Sequence, residues 1–211
     1  MTIDEESLQA WVNRLRERSA ALAADYPGAG PGRQPVHTVY GGAHLFRANT
    51  AAKLGELARR SLDEFAPDPA TLADATGIPS DELAGQVYPR VLEKLEEQPV
   101  EDFRLDFEDG YGTRPDEEED GHAVSAARQV AAGMEEGTLP PYVGIRIKAL
   151  TGEQSRRAFR TLDLFVTALV ETAGGLPGGF VVTLPKIQHP EQVLVLDEAL
   201  SRLESRLGLK R

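Results

Sequence analysis

Four short β-rich runs, each followed by a stretch with helical spacing, constrain this chain more than anything else in it. The runs cover residues 36–40, 103–107, 142–148 and 180–185. Between them, apolar residues recur three and four apart, as in Leu54, Leu57, Leu62 and Phe65, or Phe159, Leu162, Phe165, Val166 and Leu169. A β-α-β-α-β-α-β-α order means a parallel sheet with right-handed crossovers. The 211 residues suffice for one domain with a proper core and are short for two.

The flanking segments read as follows. Residues 4–25 have an amphipathic pattern, with Thr2 and Glu5 as a capping box. Residues 26–32 are rich in glycine and proline and read as a linker, so residues 1–35 form an N-terminal appendage and residues 36–211 the main domain. Asn49 is the expected N-cap of the helix over 49–65. Residues 67–99 hold a further helical stretch, in which Pro89 predicts a kink or two short helices. Residues 113–120, with five consecutive acids at 116–120, read as a solvated loop before a helix over 122–134. Thr151 with Gln154 caps the next helix, and His189-Pro190 opens the last.

Strand parity then separates two kinds of sheet. In the second run Phe103, Leu105 and Phe107 share one face, and Arg104, Asp106 and Glu108 the other. In the third, Val143, Ile145 and Ile147 oppose Gly144, Arg146 and Lys148. An open sheet covered by helices on both faces is apolar on both. A barrel strand is apolar outward and can carry charge inward near its C-terminal mouth, so the parity favours the first half of a TIM-type (β/α)8 barrel. Ionisable groups buried there cost several kcal/mol each unless paired. They read either as a site at the strand ends or as a network that only keeps two strands in register.

Composition narrows the function classes. A net charge of −11 argues against nucleic acid or an anionic membrane surface as partner. There is no cysteine, which removes thiolate nucleophiles and Cys-based zinc sites. No signal segment and no long apolar run is visible, so a cytoplasmic protein is expected. Gly41-Gly42 and Gly110-Tyr111-Gly112 follow strands, where backbone amides can approach an anion, although tight turns explain them equally well. The histidines have no metal-ligand spacing and read as surface or capping residues. Walker, dinucleotide and serine-elbow motifs are absent.

Asp106-Phe107-Glu108-Asp109 with Ala126-Ala127-Arg128, Gly144-Ile145-Arg146-Ile147, Thr183-Leu184-Pro185-Lys186 with Glu191-Gln192-Val193, and the loop Tyr40-Gly41-Gly42-Ala43-His44 resemble, in order, segments of the HpcH/HpaI aldolase and citrate lyase beta-subunit family. The resemblance runs from about residue 36 to the end. It implies a carbon–carbon lyase of the phosphoenolpyruvate/pyruvate-binding barrel superfamily, in which magnesium chelates an α-keto acid or acyl thioester substrate and stabilises its enolate. By the same resemblance Arg146, Glu108 and Asp109 are the catalytic candidates, and Asp106, Lys186, Gly41 and Gly42 the substrate-binding ones. Arg146 matches the arginine that holds the substrate's carboxylate or enolate oxygen, a role suited to a permanently charged fork. Glu108 and Asp109 match acids near the metal and its waters. Lys148 stands where the family has Asn, and residues 80–98 are an insertion relative to shorter members. The family's direct metal ligands come from its fifth and sixth strands, beyond the four βα units legible in this sequence. The chain is therefore expected to work as half of a barrel, completed by further strands or by a partner, and to associate as an oligomer. The alternatives are a non-catalytic half-barrel that binds a ligand or an assembly partner, and an open four-stranded α/β domain without a site.

Overall fold

A computed structural model describes residues 2–28, 30, 32–152 and 154–209. The chain divides into two compact units, Met1–Gln34 and Pro35–Arg211. The first contains helix α1, Glu5–Asp25. Its cap is Asp4, whose carboxylate accepts from the Ser7 amide at 2.7 Å and from the Ser7 hydroxyl at 2.8 Å. Thr2 and Glu5 do not form the expected box. A carboxylate on the first free amides also complements the helix dipole, which makes Asp4 the stronger cap. Ala29 and Pro31 of the expected linker lie outside the described residues.

The second unit is an α/β domain. In order it comprises β1 (Val39–Gly42), a 3-10 turn (Ala43–Leu45), α2 (Thr50–Phe65), α3 (Pro69–Thr76), α4 (Asp81–Glu97), β2 (Asp102–Asp106), α5 (Asp116–Glu136), β3 (Tyr142–Arg146), α6 (Gln154–Ala173), β4 (Phe180–Thr183) and α7 (Glu191–Leu207). The four strands form one parallel sheet in the order β1-β2-β3-β4.

The register sorts the residues into rows across the sheet. Val39, Phe103, Val143 and Phe180 form one row, and Gly41, Leu105, Ile145 and Val182 another. These rows face the core, where Leu105, Val143 and Ile145 are fully buried against α5 and α6 side chains such as Ala127, Val130, Leu162 and Phe165. Each buried Leu or Ile of this kind contributes about 1.5–3 kcal/mol. The alternate rows are Tyr40, Arg104, Gly144, Val181 and Gly42, Asp106, Arg146, Thr183. The charged face read from the sequence on the second and third strands is therefore present, with Arg104 and Asp106 of β2 and Arg146 of β3 on one side of the sheet.

Several local expectations are corrected. The first strand starts at Val39 and takes in Gly41 and Gly42, which were expected to close it. The residues from 67 to 99 form two helices, of which α4 runs through Pro89 without interruption. The cap of α2 is positioned at Asn49, but its side chain makes no capping hydrogen bond. The acid run 116–120 is not a loop but the first turns of α5. Carboxylates there complement the helix dipole. Two of them are used for packing: Glu119 is fully buried and accepts from Thr161 Oγ1 at 2.6 Å, and Asp120 pairs with Arg157 and Arg160 of α6. No helix among the described residues is long and apolar enough to cross a membrane.

Candidate functional site

Asp106 ends β2 and Arg146 ends β3, directly opposite in register. Arg146 grips the Asp106 carboxylate with two donors, Nε to Oδ1 at 2.8 Å and Nη2 to Oδ2. The amides of Glu108 and Gly110 donate to the same two oxygens at 2.8 and 2.7 Å. Burial is the largest single influence on the Asp106 pKa and raises it. The bonds from Arg146 and the two amides together outweigh burial and hold the carboxyl below its usual range. Asp106 is 1% exposed. With four donors on it, the carboxylate positions Arg146 and the following turn.

That turn brings up Glu108 and Asp109. The nitrogen of Arg146 that Asp106 does not use, Nη1, lies 3.7 Å from Glu108 Oε2 and 3.8 Å from Asp109 Oδ2. Lys186 reaches in from the end of β4, donating to Glu108 Oε1 and to Asp109 Oδ1, the latter at 2.9 Å. Its pKa is raised by those two bonds, and the Lys186 bond in turn lowers that of Asp109. Strand parity alone would send Lys186 to the core side with Val182 and Leu184. It is instead the one non-glycine residue with positive φ among the described residues, at 53°. That left-handed turn after Pro185 redirects the side chain to the polar side, and such strain persists only where surrounding contacts impose it.

Glu108, Asp109, Lys148, Lys186, Thr151 and Gln154 line a cavity of about 380 Å³ at the C-terminal ends of the strands. This is the end at which parallel α/β proteins bind ligands. A larger hollow of about 900 Å³ lies at the opposite end of the strands, between α2, the end of α4 and the segment before β3. It contains none of the ionisable candidates.

The remaining candidates are placed differently. A Cβ on Gly41 would stand 2.8 Å from Phe103 Cζ, so this glycine faces the core. A Cβ on Gly42 would stand 2.5 Å from the Gly110 carbonyl oxygen, so this glycine lets the loops after β1 and β2 touch. Lys148 diverges from Arg146: its Nζ donates to the Phe107 carbonyl at 2.6 Å and lies 2.8 Å from Glu119 Oε2. One layer below the rim, Arg104 Nη2 donates to Asp102 Oδ2 at 2.8 Å, and Thr38 Oγ1 donates to the same oxygen at 2.9 Å.

Two features escaped sequence reasoning. Tyr40 stacks on the Arg146 guanidinium, ring centroid to Cζ 4.7 Å. Its parity with Gly42 on β1 was the available signal, but only the register reveals the partner. His44 and His122, read as surface or capping residues, instead pack with Tyr111 in one aromatic cluster. Among the described residues no group of three or more His, Asp or Glu side chains is arranged to hold a metal ion. The two acids at the rim are both bonded to Lys186, and a magnesium ion needs about six oxygen ligands. These residues do not by themselves make up a magnesium site.

A family model described as a domain of unknown function, DUF6986, matches residues 15–211, and the chain belongs to that family. Neither a curated protein nor a solved structure matches it.

Proposed function

We propose that the C-terminal rim of the sheet is part of a carbon–carbon lyase site of the aldolase and citrate lyase beta type. Arg146 there holds the carboxylate or enolate oxygen of a keto acid or acyl thioester. The observation that carries this reading is the way Arg146 is presented. Asp106 occupies Nε and Nη2, Tyr40 covers the guanidinium, and Nη1 is left beside Glu108 and Asp109. A guanidinium fixed in this way binds an anionic oxygen at little cost in ordering. Glu108 Oε2 is buried without a hydrogen-bond partner, which suits it to accept a proton from substrate or a hydrogen bond from a substrate hydroxyl. Lys186 donates to both acids, and its bond to Asp109 lowers the pKa of that carboxyl.

Four parallel strands in sequential order, with the helices packed on the apolar rows, support the reading of the sheet as the first half of a TIM-type barrel. Magnesium belongs to this proposal only with ligands from outside the described residues, supplied with the completing strands or partner. No step is assigned to it.

Titrating oxalate or pyruvate into the chain, with and without magnesium, tests the anion site. Wild type is expected to bind weakly, and Arg146→Ala to lose at least tenfold, which is about 1.4 kcal/mol. Equal binding by both proteins removes Arg146 from the site. Oxaloacetate or a 4-hydroxy-2-oxo acid is expected to be turned over little or not at all by the isolated chain, and robust turnover would overturn the incomplete-site reading.

A second reading, a non-catalytic ligand-binding or assembly half-barrel, is favoured by the pairing of both rim acids with Lys186. Under it, Arg146→Ala leaves association and function intact.

A further inference from the structure

The turn that carries Glu108 and Asp109 is held from beneath by three rings from three separate segments. Tyr111 is buried, and its Oη lies 2.7 Å from Nδ1 of His122 on α5. His44, in the 3-10 turn after β1, meets the Tyr111 ring edge-on at 5.4 Å and 74°, and lies 5.8 Å from the His122 ring. It also covers Gly42, where a Cβ would stand 2.7 Å from His44 Cε1. The turn closes through the Tyr111 and Gly112 amides, which donate to the Glu108 carbonyl at 3.1 and 2.9 Å. Displacing the Tyr111 ring therefore displaces Glu108 and Asp109.

His44 Nδ1 is enclosed and has no hydrogen-bond partner among the described residues. A neutral imidazole tolerates this with Nδ1 as a bare acceptor, whereas an imidazolium would bury an N–H with nothing to accept it. The surrounding charges offer no relief. Arg114 lies 4.8 Å from the Tyr111 ring centroid and Lys148 5.0 Å. Glu118 is bonded to Arg114 at 2.5 Å, and Glu119 sits between Lys148 at 2.8 Å and Arg157 at 3.5 Å. Each carboxylate near the cluster already faces a cation. Burial first, then Arg114 and His122, push the His44 pKa below its ordinary value, with Glu118 opposing.

We propose that His44 is a positioning residue for Glu108 and Asp109: neutral, it wedges Tyr111 in place, and protonated, it leaves its pocket and releases the turn. The consequence for catalysis rests on the lyase reading of the rim; the wedge itself does not.

Hydrogen–deuterium exchange of the amides in residues 108–114, corrected for intrinsic rates, tests it in the full chain. Wild-type protection is expected to fall about fivefold or more between about pH 8 and about pH 5, the interval in which imidazoles titrate. His44→Phe keeps a ring in the same place without a titratable nitrogen, so its protection should be high and flat across that interval. Flat wild-type protection, or a His44→Phe profile that falls like wild type, overturns the proposal. Should His44→Phe fail to fold by circular dichroism, NMR titration of the wild-type His44 ring decides. Its midpoint must coincide with the loss of turn protection, and a separate midpoint overturns the wedge. A confirmed wedge together with absent keto-acid binding would refute the lyase reading alone.

Discussion

Asp106 and Arg146 close the end of the β2–β3 pair: a carboxylate with four donors on it holds a guanidinium by two of its three nitrogens. The third nitrogen is aimed at the turn that the same carboxylate pins. One acid thus sets both the direction of the cation and the position of the two acids beside it.

Asp106→Asn tests that arrangement through stability. The amide cannot balance the Arg146 charge, and it offers one acceptor where two are used. Removing one partner of a buried pair costs about 3–5 kcal/mol, and the partial exposure of Arg146 puts this case near about 3 kcal/mol. Urea denaturation should show the midpoint falling with the slope unchanged. A change below about 1 kcal/mol would mean that the pair does not hold the rim.

The same carboxyl predicts an acid response. Its folded-state pKa lies below the ordinary value of 3.8, so the unfolded chain binds its proton first as pH falls. The stabilisation is complete above the ordinary value and is lost as pH falls towards the lowered one. Wild type should lose stability in that window more steeply than Asp106→Asn, measured as denaturation midpoints across an acid series.

The polar face was legible in the sequence because strand parity is a local property, and alternation through Arg104, Asp106 and Arg146 survives into the sheet. What was not legible depends on breaks in that periodicity. Lys186 reaches the rim only because one residue after Pro185 adopts φ 53°, which no residue pattern announces. The acids at 116–120 resemble a solvated loop by composition. Three of them, Asp116, Glu119 and Asp120, are paired with arginines about 40 positions away on α6. Tyr40 joined the site through register with β2 and β3, and His44 through a contact between two loops. Both are long-range facts.

Lys186→Gly should separate backbone strain from function. Glycine adopts the left-handed conformation without penalty, while the exposed ammonium contributes little to stability. The melting temperature is expected to change little. Oxalate or pyruvate binding should weaken, because Glu108 and Asp109 lose their shared cation. A large fall in melting temperature would show that Lys186 acts as a structural strut.

Glu119→Ala should be among the most damaging changes outside the rim. The side chain is fully buried, with Lys148 Nζ at 2.8 Å, Thr161 Oγ1 at 2.6 Å and Arg157 Nε at 3.5 Å. Its loss leaves two cations against a cavity between α5 and α6, at a cost of about 3–5 kcal/mol. Glu117→Ala, two positions earlier and exposed, should change stability by less than about 0.5 kcal/mol. Equal effects in chemical denaturation would show that the acid run is a solvated helix end after all.

Gly144→Ala tests the inner face below the rim. Gly144 is buried in β3 between Arg104 and Val181, and a Cβ there would overlap the Val181 carbonyl oxygen and stand 2.8 Å from Arg104 Nη1. The carbonyl belongs to the β3–β4 ladder and cannot move without parting the strands, so the overlap is not relieved by rotating a side chain. Overpacking of this kind costs about 1–3 kcal/mol where neighbours can shift and more where backbone must. The variant should therefore unfold at markedly lower urea, by about 3 kcal/mol or more, or fail to accumulate as folded protein. Gly121→Ala, on a helix with open space around the new methyl, should instead stabilise by about 0.5–1 kcal/mol. The contrast between the two substitutions isolates strand packing from glycine content, and a neutral Gly144→Ala would mean that β3 and β4 are not held in the register described.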